Sequence, residues 1–375
     1  MKILYVCDEL AIRAGLERVV IDKANWLVEY GGYDVCLLTV NQGRNPICFP
    51  LHPNVSCDDL DIQFHQQYHL PFWKRLMKKR QLSHLFRERL ASKIKQEKPD
   101  VIVCTRFDYI QDVAKVKGSV PYIYESHSAR LASKFEGDSL LRRIYVWYLQ
   151  SAVRKADMVV ALTNGDAEEW RKMAPNVCVI PNPVHLNTSG AYSNCKAKSA
   201  IYVGRFSRQK DIHSLLHIWT LVHQRHPDWS LHTYGGYGEL RDVILEKIRQ
   251  MDANIYTHGP TLDIIERYKE NSILLLTSRY EPFGLVLPEA MSCGLPVVAF
   301  DCPYGPADII TDSVDGFLVR NRSDEDFASH VSSLIGDMEM RLKMGEAGLQ
   351  SSKRYDVGVI MPLWKDLFER ISTKR

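Results

Sequence analysis

The sequence predicts an α/β protein made of two doubly wound domains, and three observations carry that prediction. Apolar runs of strand length alternate with helical stretches along nearly the whole chain, the pattern of a parallel sheet covered on both faces. The alternation occurs twice, with a break at 181–198, "PNPVHLNTSGAYSNCKAK", which is rich in Pro, Asn, Ser and Gly and has no periodicity. The chain has 375 residues, 45% hydrophobic and 25% charged, enough for two or three ordinary domains with a core each.

The elements follow in order. An apolar strand at 2–7, "KILYVC", precedes a helix over about 17–30, which Gly31-Gly32 stops, and a second strand at 34–40; together they make one βαβ unit. Further strands are expected at 101–105, 122–125 and 158–163, with helices between. After the break, strands are expected at 200–203, 230–234, 255–258, 273–277 and 297–300. The tail, 357–371, reads as an amphipathic helix with Ile360, Leu363, Trp364, Leu367, Phe368 and Ile371 on one side. The expected division is a first domain at 1–180, a linker at 181–197, a second domain at 198–355, and a C-terminal helix at 356–375 that packs back on the first domain.

Several classes are disfavoured. A net charge of +3 is too small to argue for nucleic acid. The opening "MKILYVCDEL" turns acidic too soon for a signal peptide, and there is no run of 18 apolar residues. The nine cysteines form no C-x-x-C pair, so neither zinc nor a redox dithiol is expected, and reduced thiols in a cytoplasm fit. Neither G-x-G-x-x-G nor G-x-x-x-x-G-K-[ST] occurs. No metal and no cofactor is expected. "DDLD" at 58–61 looks like a D-x-D metal motif but lacks strand-end context, and reads as a solvated loop or turn.

In open α/β sheets ligands bind at the carboxyl ends of the strands, so the loops there matter most. "SRYEPFGLVLPEAMSCG" (278–294) leaves an apolar strand with Glu281 on the turn and Glu289 inside the next helix. Pro288 belongs in a first helical turn, so the helix begins between about 284 and 288. The amides of Phe283, Gly284 and Leu285 are then free for an anion, and Gly284 lets a ligand approach closely. Acids near a helix start can equally be plain dipole stabilisation. "GRFSRQK" (204–210) delivers Arg205 and Lys210 to another strand end, where two cations can hold a diphosphate or simply be solvated. Gly15 sits at the first strand-to-helix turn. His127 follows a strand in "YESHS", a place for a ligand contact or for a hydrogen-bonded structural histidine.

Taken together and in this order, Gly15, His127, "GRFSRQK", "HGP" (258–260) and "SRYEPFGLVLPEAMSCGLPVV" resemble the retaining GT-B-fold glycosyltransferases of family four, which use nucleotide-sugar donors. The resemblance spans essentially the whole chain, strongest from 201 to 318 and loosest from 41 to 98. "FDCPYGPADII" and "DGFLV" are similar to the branch that builds bacterial surface polysaccharides.

The resemblance implies two Rossmann-like domains facing across a cleft, the first for the acceptor and the second for the donor. Arg205 and Lys210 would hold the donor diphosphate, with Gly15 and the amides of Phe283, Gly284 and Leu285 beside it. Glu289 would bind the ribose, Glu281 the donor sugar, and His127 the hydroxyls of the transferred sugar. His258, Gly259 and Pro260 would lie near the nucleobase. Many members have Gly-Gly where this chain has Ala14-Gly15. The implied activity is metal-independent sugar transfer with retention, from a UDP-sugar rather than GDP-mannose, to a glycan or lipid-linked glycan acceptor.

Other readings remain open: a nucleotide-sugar epimerase or a phosphorylase on the same fold, a hydrolase using the paired glutamates, or a sugar-binding scaffold. Base, sugar, acceptor and oligomeric state are not specified by the sequence. Segment 71–98 carries ten Lys/Arg against two Glu, so loose contact with an anionic membrane, at its inner face, is open to it. Its Trp73, Leu76, Leu85, Phe86, Leu90 and Ile94 are expected to pack on the first domain.

Overall fold

The computed structural model describes residues 1–128, 144, 147–148, 151–187 and 190–373. The chain divides into two compact units, Met1–Pro183 with Ile360–Arg375, and Val184–Val359. Each is a parallel sheet with helices in the crossovers.

The first unit runs β1 (Lys2–Cys7), α1 (Gly15–Glu29), β2 (Asp34–Thr39), β3 (Ser56–Asp59), α2 (Phe72–Glu97), β4 (Val101–Cys104), α3 (Ile110–Val116), β5 (Tyr122–Ser126), β6 (Met158–Ala161), α4 (Asn164–Arg171) and β7 (Val177–Val179). The sheet order is β3-β2-β1-β4-β5-β6-β7. The chain starts in the middle with β1, whose Ile3 pairs with Val35 on one side and Val101 on the other. Residues 3–6 are wholly buried, which is why β1 reads as an unbroken apolar run.

Three expectations need correction. "DDLD" is not a free loop, because Ser56–Asp59 forms the edge strand β3. Its polar side chains face water at the edge, so it carried no apolar signal. The carboxylates there are engaged: Asp58 pairs with Lys93 at 2.6 Å, and Asp59 accepts from Thr39 Oγ1 at 2.9 Å and from the Gly43 amide at 2.9 Å. In α2, Leu82, Phe86, Leu90 and Ile94 are buried, but Trp73 and Leu76 are not; Trp73 is 74% exposed and Met77 73%. The helix outruns the core at its N-terminal end. In the last helix, Val357–Ser372, Leu363 is exposed, while Ile360, Met361, Trp364, Leu367, Phe368 and Ile371 are buried. Residues from Ile360 onward belong to the first unit, where Phe368 meets Tyr33 edge-on and Glu369 accepts from the Tyr33 hydroxyl at 3.3 Å.

The second unit runs β8 (Ser199–Gly204), α5 (Ile212–Arg225), β9 (Ser230–Gly235), α6 (Arg241–Arg249), β10 (Ile255–Thr257), α7 (Ile264–Lys269), β11 (Ile273–Leu276), α8 (Val286–Met291), β12 (Val297–Phe300), α9 (Gly305–Ile309), β13 (Gly316–Val319), α10 (Asp324–Gly336) and α11 (Met338–Ser352). Its order is β10-β9-β8-β11-β12-β13. The described part of 184–198 runs along this unit: the Val184 amide donates to Tyr355 at 2.9 Å, and buried Cys195 accepts from Arg341 at 3.2 Å. In each sheet the winding direction reverses beside the first strand, between β1 and β4 and between β8 and β11. These reversal points are where an open α/β sheet holds its ligand.

Candidate functional site

In the second unit the reversal point brings two loops together. The loop after β8 carries Arg205 and Lys210, and the loop after β11 carries Ser278 to Leu285. Backbone and side chains join them: the Arg279 amide donates to Gln209 at 2.8 Å, and Gln209 Nε2 donates to the Tyr280 carbonyl at 3.1 Å. Between them Lys210 Nζ lies 2.5 Å from Glu281 Oε1, and Ser278 Oγ donates to the same oxygen at 2.5 Å. The Lys210 side chain is 14% exposed and that of Glu281 5%, so the pair is desolvated yet within reach of a ligand. An ammonium has three donors, so Lys210 keeps capacity for a second anion. Beneath it, buried Asp211 receives Arg322 Nη2 at 2.8 Å and Arg279 Nε at 3.1 Å, which anchors the lysine loop.

A third loop completes this wall. The Glu281 amide donates to Pro303 at 2.8 Å, and the Tyr304 and Gly305 amides donate back to Glu281 at 2.8 and 3.0 Å. Gly305 is required there, because a Cβ would sit 1.7 Å from the Phe283 carbonyl oxygen. Gly284 holds φ +95°, a backbone that side chains disfavour, and so turns the chain into α8. The helix starts at Val286 with Pro288 in its first turn. The amides of Phe283, Gly284 and Leu285 have no hydrogen-bond partner among the described residues. Glu289, in the same turn, accepts from the buried Tyr268 hydroxyl at 3.1 Å.

Of the expected residues, Lys210, Glu281, Phe283, Gly284, Leu285 and Glu289 therefore gather on one wall. Arg205 is exposed near it, with a contact of 3.5 Å to Gln209. His258 follows β10 and stacks on Tyr234, 4.5 Å between centroids and 12° between planes, and its Nε2 lies 3.1 Å from His232 Nδ1; Gly259 accepts from the Gly235 amide at 3.3 Å, and Pro260 follows.

The first unit carries the other two, Gly15 and His127. Gly15 opens α1 and is exposed, behind Ala14 in extended backbone (φ −130°), which accommodates the alanine methyl. A pocket at the β1–β4 reversal is lined by Asp8, Leu10, Ile12, Glu17 and Arg106, among others. Arg106 reaches Asp8 at 3.3 Å, and the Tyr109 hydroxyl donates to Asp8 at 2.5 Å. Burial pushes the Glu17 carboxyl up from its ordinary range. His127 Nε2 lies 3.0 Å from Glu125 Oε1, and Glu125 is bound at 2.6 Å by Lys23.

Sequence reasoning missed Ser278, Asp8, Arg106, Lys23 and Glu125. Two of these had a signal. Glu125 is two residues from His127, hence on the same side of an extended chain. Lys23 interrupts the apolar stripe Val20, Ala24, Leu27 of α1. Among the described residues no group of three or more His, Cys, Asp or Glu is placed to hold a metal ion.

Two parallel α/β units, each with polar and charged side chains gathered at the reversal of its sheet, define a protein that binds ligands at strand ends. Comparison with known proteins says which. The family model for Glycosyltransferase Family 4 matches residues 13–188 and that for Glycosyl transferases group 1 matches 192–351, so the chain belongs to the glycosyltransferases built from these two domains. It is 29% identical to the amylovoran biosynthesis glycosyltransferase AmsD of Erwinia amylovora, over 98% of this chain and 99% of that protein. It is 24% identical to the lipopolysaccharide 1,6-galactosyltransferase of Salmonella typhimurium, over 64% of this chain and 70% of that one. Among solved structures, a mutant of S. aureus TarM in complex with fondaparinux, alpha-GlcNAc-glycerol and UDP superposes with a TM-score of 0.80 at 15% identity, covering 98% of this chain and 99% of that one. That likeness concerns the fold, which is that of the GT-B glycosyltransferases.

Proposed function

We propose that the protein is a retaining glycosyltransferase that moves a sugar from a nucleoside-diphosphate sugar, UDP-linked, to a glycan or lipid-linked glycan in surface-polysaccharide synthesis. The observation that carries this reading is the wall at the second reversal point, where Lys210, Glu281 and three amides without a partner among the described residues lie together beside exposed Arg205. A diphosphate needs cations and N–H donors, and a sugar needs a carboxylate that accepts its hydroxyls. A free glycoside would need neither cations nor amides. The name of the Salmonella relative supports the polysaccharide class, and the UDP bound to TarM supports the base.

In this reading Arg205 and Lys210 neutralise the departing diphosphate, joined by the amides of Phe283, Gly284 and Leu285. Gly15 lies by the phosphate, Glu289 takes the ribose hydroxyls, and His258 to Pro260 border the base. Glu281 and His127 meet the transferred sugar. The bond from the anomeric carbon to phosphate oxygen breaks, a bond to the acceptor oxygen forms on the same face, and the acceptor proton passes to the departing phosphate oxygen. Negative charge develops on the diphosphate, where the cations and amides await it, so no carboxylic acid need donate a proton.

The test is a thermal-shift panel of UDP, GDP and ADP with their sugars, followed by NMR of the transfer product. A nucleotide at 100 times its dissociation constant adds about 2.7 kcal/mol of stability. UDP is expected to raise the melting temperature, and the product to keep the donor's anomeric configuration. No shift with any nucleotide sinks the reading, and donor epimerised without an acceptor moves it to an epimerase.

We further propose that α2 lets the protein rest on an anionic membrane. Trp73, Leu76 and Met77 are exposed at its start beside Lys74, Arg75, Lys78 and Lys79. No helix among the described residues is long and apolar enough to cross a membrane.

A further inference from the structure

Below His127 the first unit buries a charge pair that the proposed reaction does not by itself require. Lys23 is wholly buried in α1 and Glu125 is 1% exposed in β5. Lys23 Nζ donates to Glu125 Oε1 at 2.6 Å. Two aromatic rings stand beside it: the Trp364 ring of the last helix has its centroid 3.4 Å from Nζ, and the Tyr5 ring lies at 5.5 Å. A cation over ring faces is stabilised without water. Burial lowers the Lys23 ammonium to about 8, partly offset by Glu125. Burial alone would raise the Glu125 carboxyl, but Lys23 and His127 outweigh it and hold it low, at about 2. Both partners are thus charged at neutral pH, a costly arrangement that an apolar pair of the same volume would avoid.

The same carboxylate faces His127. Nε2 is 3.0 Å from Oε1, close enough for a hydrogen bond though not well placed for one, and among the described residues both Nε2 and Glu125 Oε2 are buried without a partner. An imidazole nitrogen that close to an ionised carboxylate oxygen must carry the proton, since a lone pair there would face negative charge.

We propose that Lys23 and Glu125 are positioning residues for His127. Glu125 holds the proton on Nε2 and so leaves Nδ1 as the nitrogen that meets the sugar, while Lys23, roofed by Trp364, keeps Glu125 ionised. The last helix thereby takes part in setting the histidine. This rests on the glycosyl-transfer reading, in which His127 contacts the transferred sugar.

The experiment uses the full-length protein and two double variants, Lys23→Met with Glu125→Leu and Lys23→Met with Glu125→Gln. Removing both charges together avoids an unpaired buried ion, so both variants are expected to melt within a few degrees of the parent. The Leu variant is expected to lose about tenfold to a hundredfold in kcat, by analogy with the loss when the partner that orients a metal-bound imidazole is removed, with donor KM little changed. The Gln variant, whose carbonyl still accepts from Nε2–H, is expected to recover part of that loss. In parallel, 15N-histidine NMR of the parent, with His127→Asn identifying the resonance, is expected to show the proton on Nε2.

A folded Leu variant with parental kcat overturns the proposal, as does a proton on Nδ1 in the parent. If the parent turns over no nucleotide sugar, the transferase reading fails instead. The NMR arm still decides the tautomer in that event, and also if the double variants do not fold.

Discussion

The two units each contain a Lys–Glu pair of nearly equal length, 2.6 Å for Lys23–Glu125 and 2.5 Å for Lys210–Glu281, and the two are built for different ends. The first is sealed, with side chains 0% and 1% exposed, and its lysine is roofed by Trp364 and Tyr5. No ligand can reach it, so its charge acts on the groups packed against it, His127 among them. The second is 14% and 5% exposed and sits on loops rather than on a helix and a strand. Its glutamate is shared with Ser278, and its lysine has donors to spare for a ligand. The same chemistry thus sets a side chain in one place and can bind in the other. The difference lies in water access and in which elements carry the partners.

Substitutions test that contrast, beginning with the largest effect. Glu125→Ala strands a buried ammonium and is expected to cost about 3–5 kcal/mol in urea unfolding. If instead it costs no more than a surface mutation, the sealed pair is not sealed. Lys210→Ala should reverse the balance: about a hundredfold to a thousandfold loss of kcat from removing one preorganised charge, with a smaller change in urea midpoint than Glu125→Ala. Equal stability losses at the two sites would erase the distinction.

Acid tests the sealed pair as well. The folded Glu125 carboxyl titrates at about 2 against an ordinary 4.5. Its folded state therefore binds fewer protons, and the stabilisation is complete above the ordinary value and lost as pH falls through 2. The parent's melting temperature should drop more steeply over that window than that of the Lys23→Met, Glu125→Gln variant; parallel curves would contradict the cause assigned here.

Smaller effects probe the margins. Tyr268→Phe removes the hydroxyl that holds Glu289 and should weaken donor binding by about 0.5–1.5 kcal/mol, read as a raised KM for the donor with kcat nearly unchanged. Trp73→Ser with Met77→Ser should reduce co-sedimentation with anionic liposomes at low salt and leave activity on a soluble acceptor intact. Equal binding to neutral liposomes would remove the electrostatic part of that proposal.

Much of this was legible in the residues. The strands at 2–7 and 297–300 coincide with β1 and β12, because a strand buried on both faces must be apolar throughout. The helix start after Gly284 was legible from Pro288, which tolerates few positions. β3 and β13 were not legible: one is a polar edge, the other four residues opening on Gly316. Trp73 and Leu76 show a related limit at helix ends, since periodicity tells which side is apolar but not where the core stops. Leu363 lies on the apolar side of the last helix by spacing and is nevertheless 46% exposed.

The sequence by itself determined the alternation of strand and helix, the two-domain plan, and the residue types at the strand ends, because each depends on local periodicity and on proline and glycine geometry. Only the tertiary structure decided which charges meet. Lys210 and Glu281 are 71 residues apart and Lys23 and Glu125 are 102 apart, and each pair closes because two strand-linked segments become neighbours in the winding of one sheet. The enclosure by Trp364, which separates the sealed pair from the open one, comes from a helix at the far end of the chain. Burial and water access are properties of packed neighbours; the apolar stripe around Lys23 hints at its burial, but nothing local names Glu125 or Trp364 as its partners.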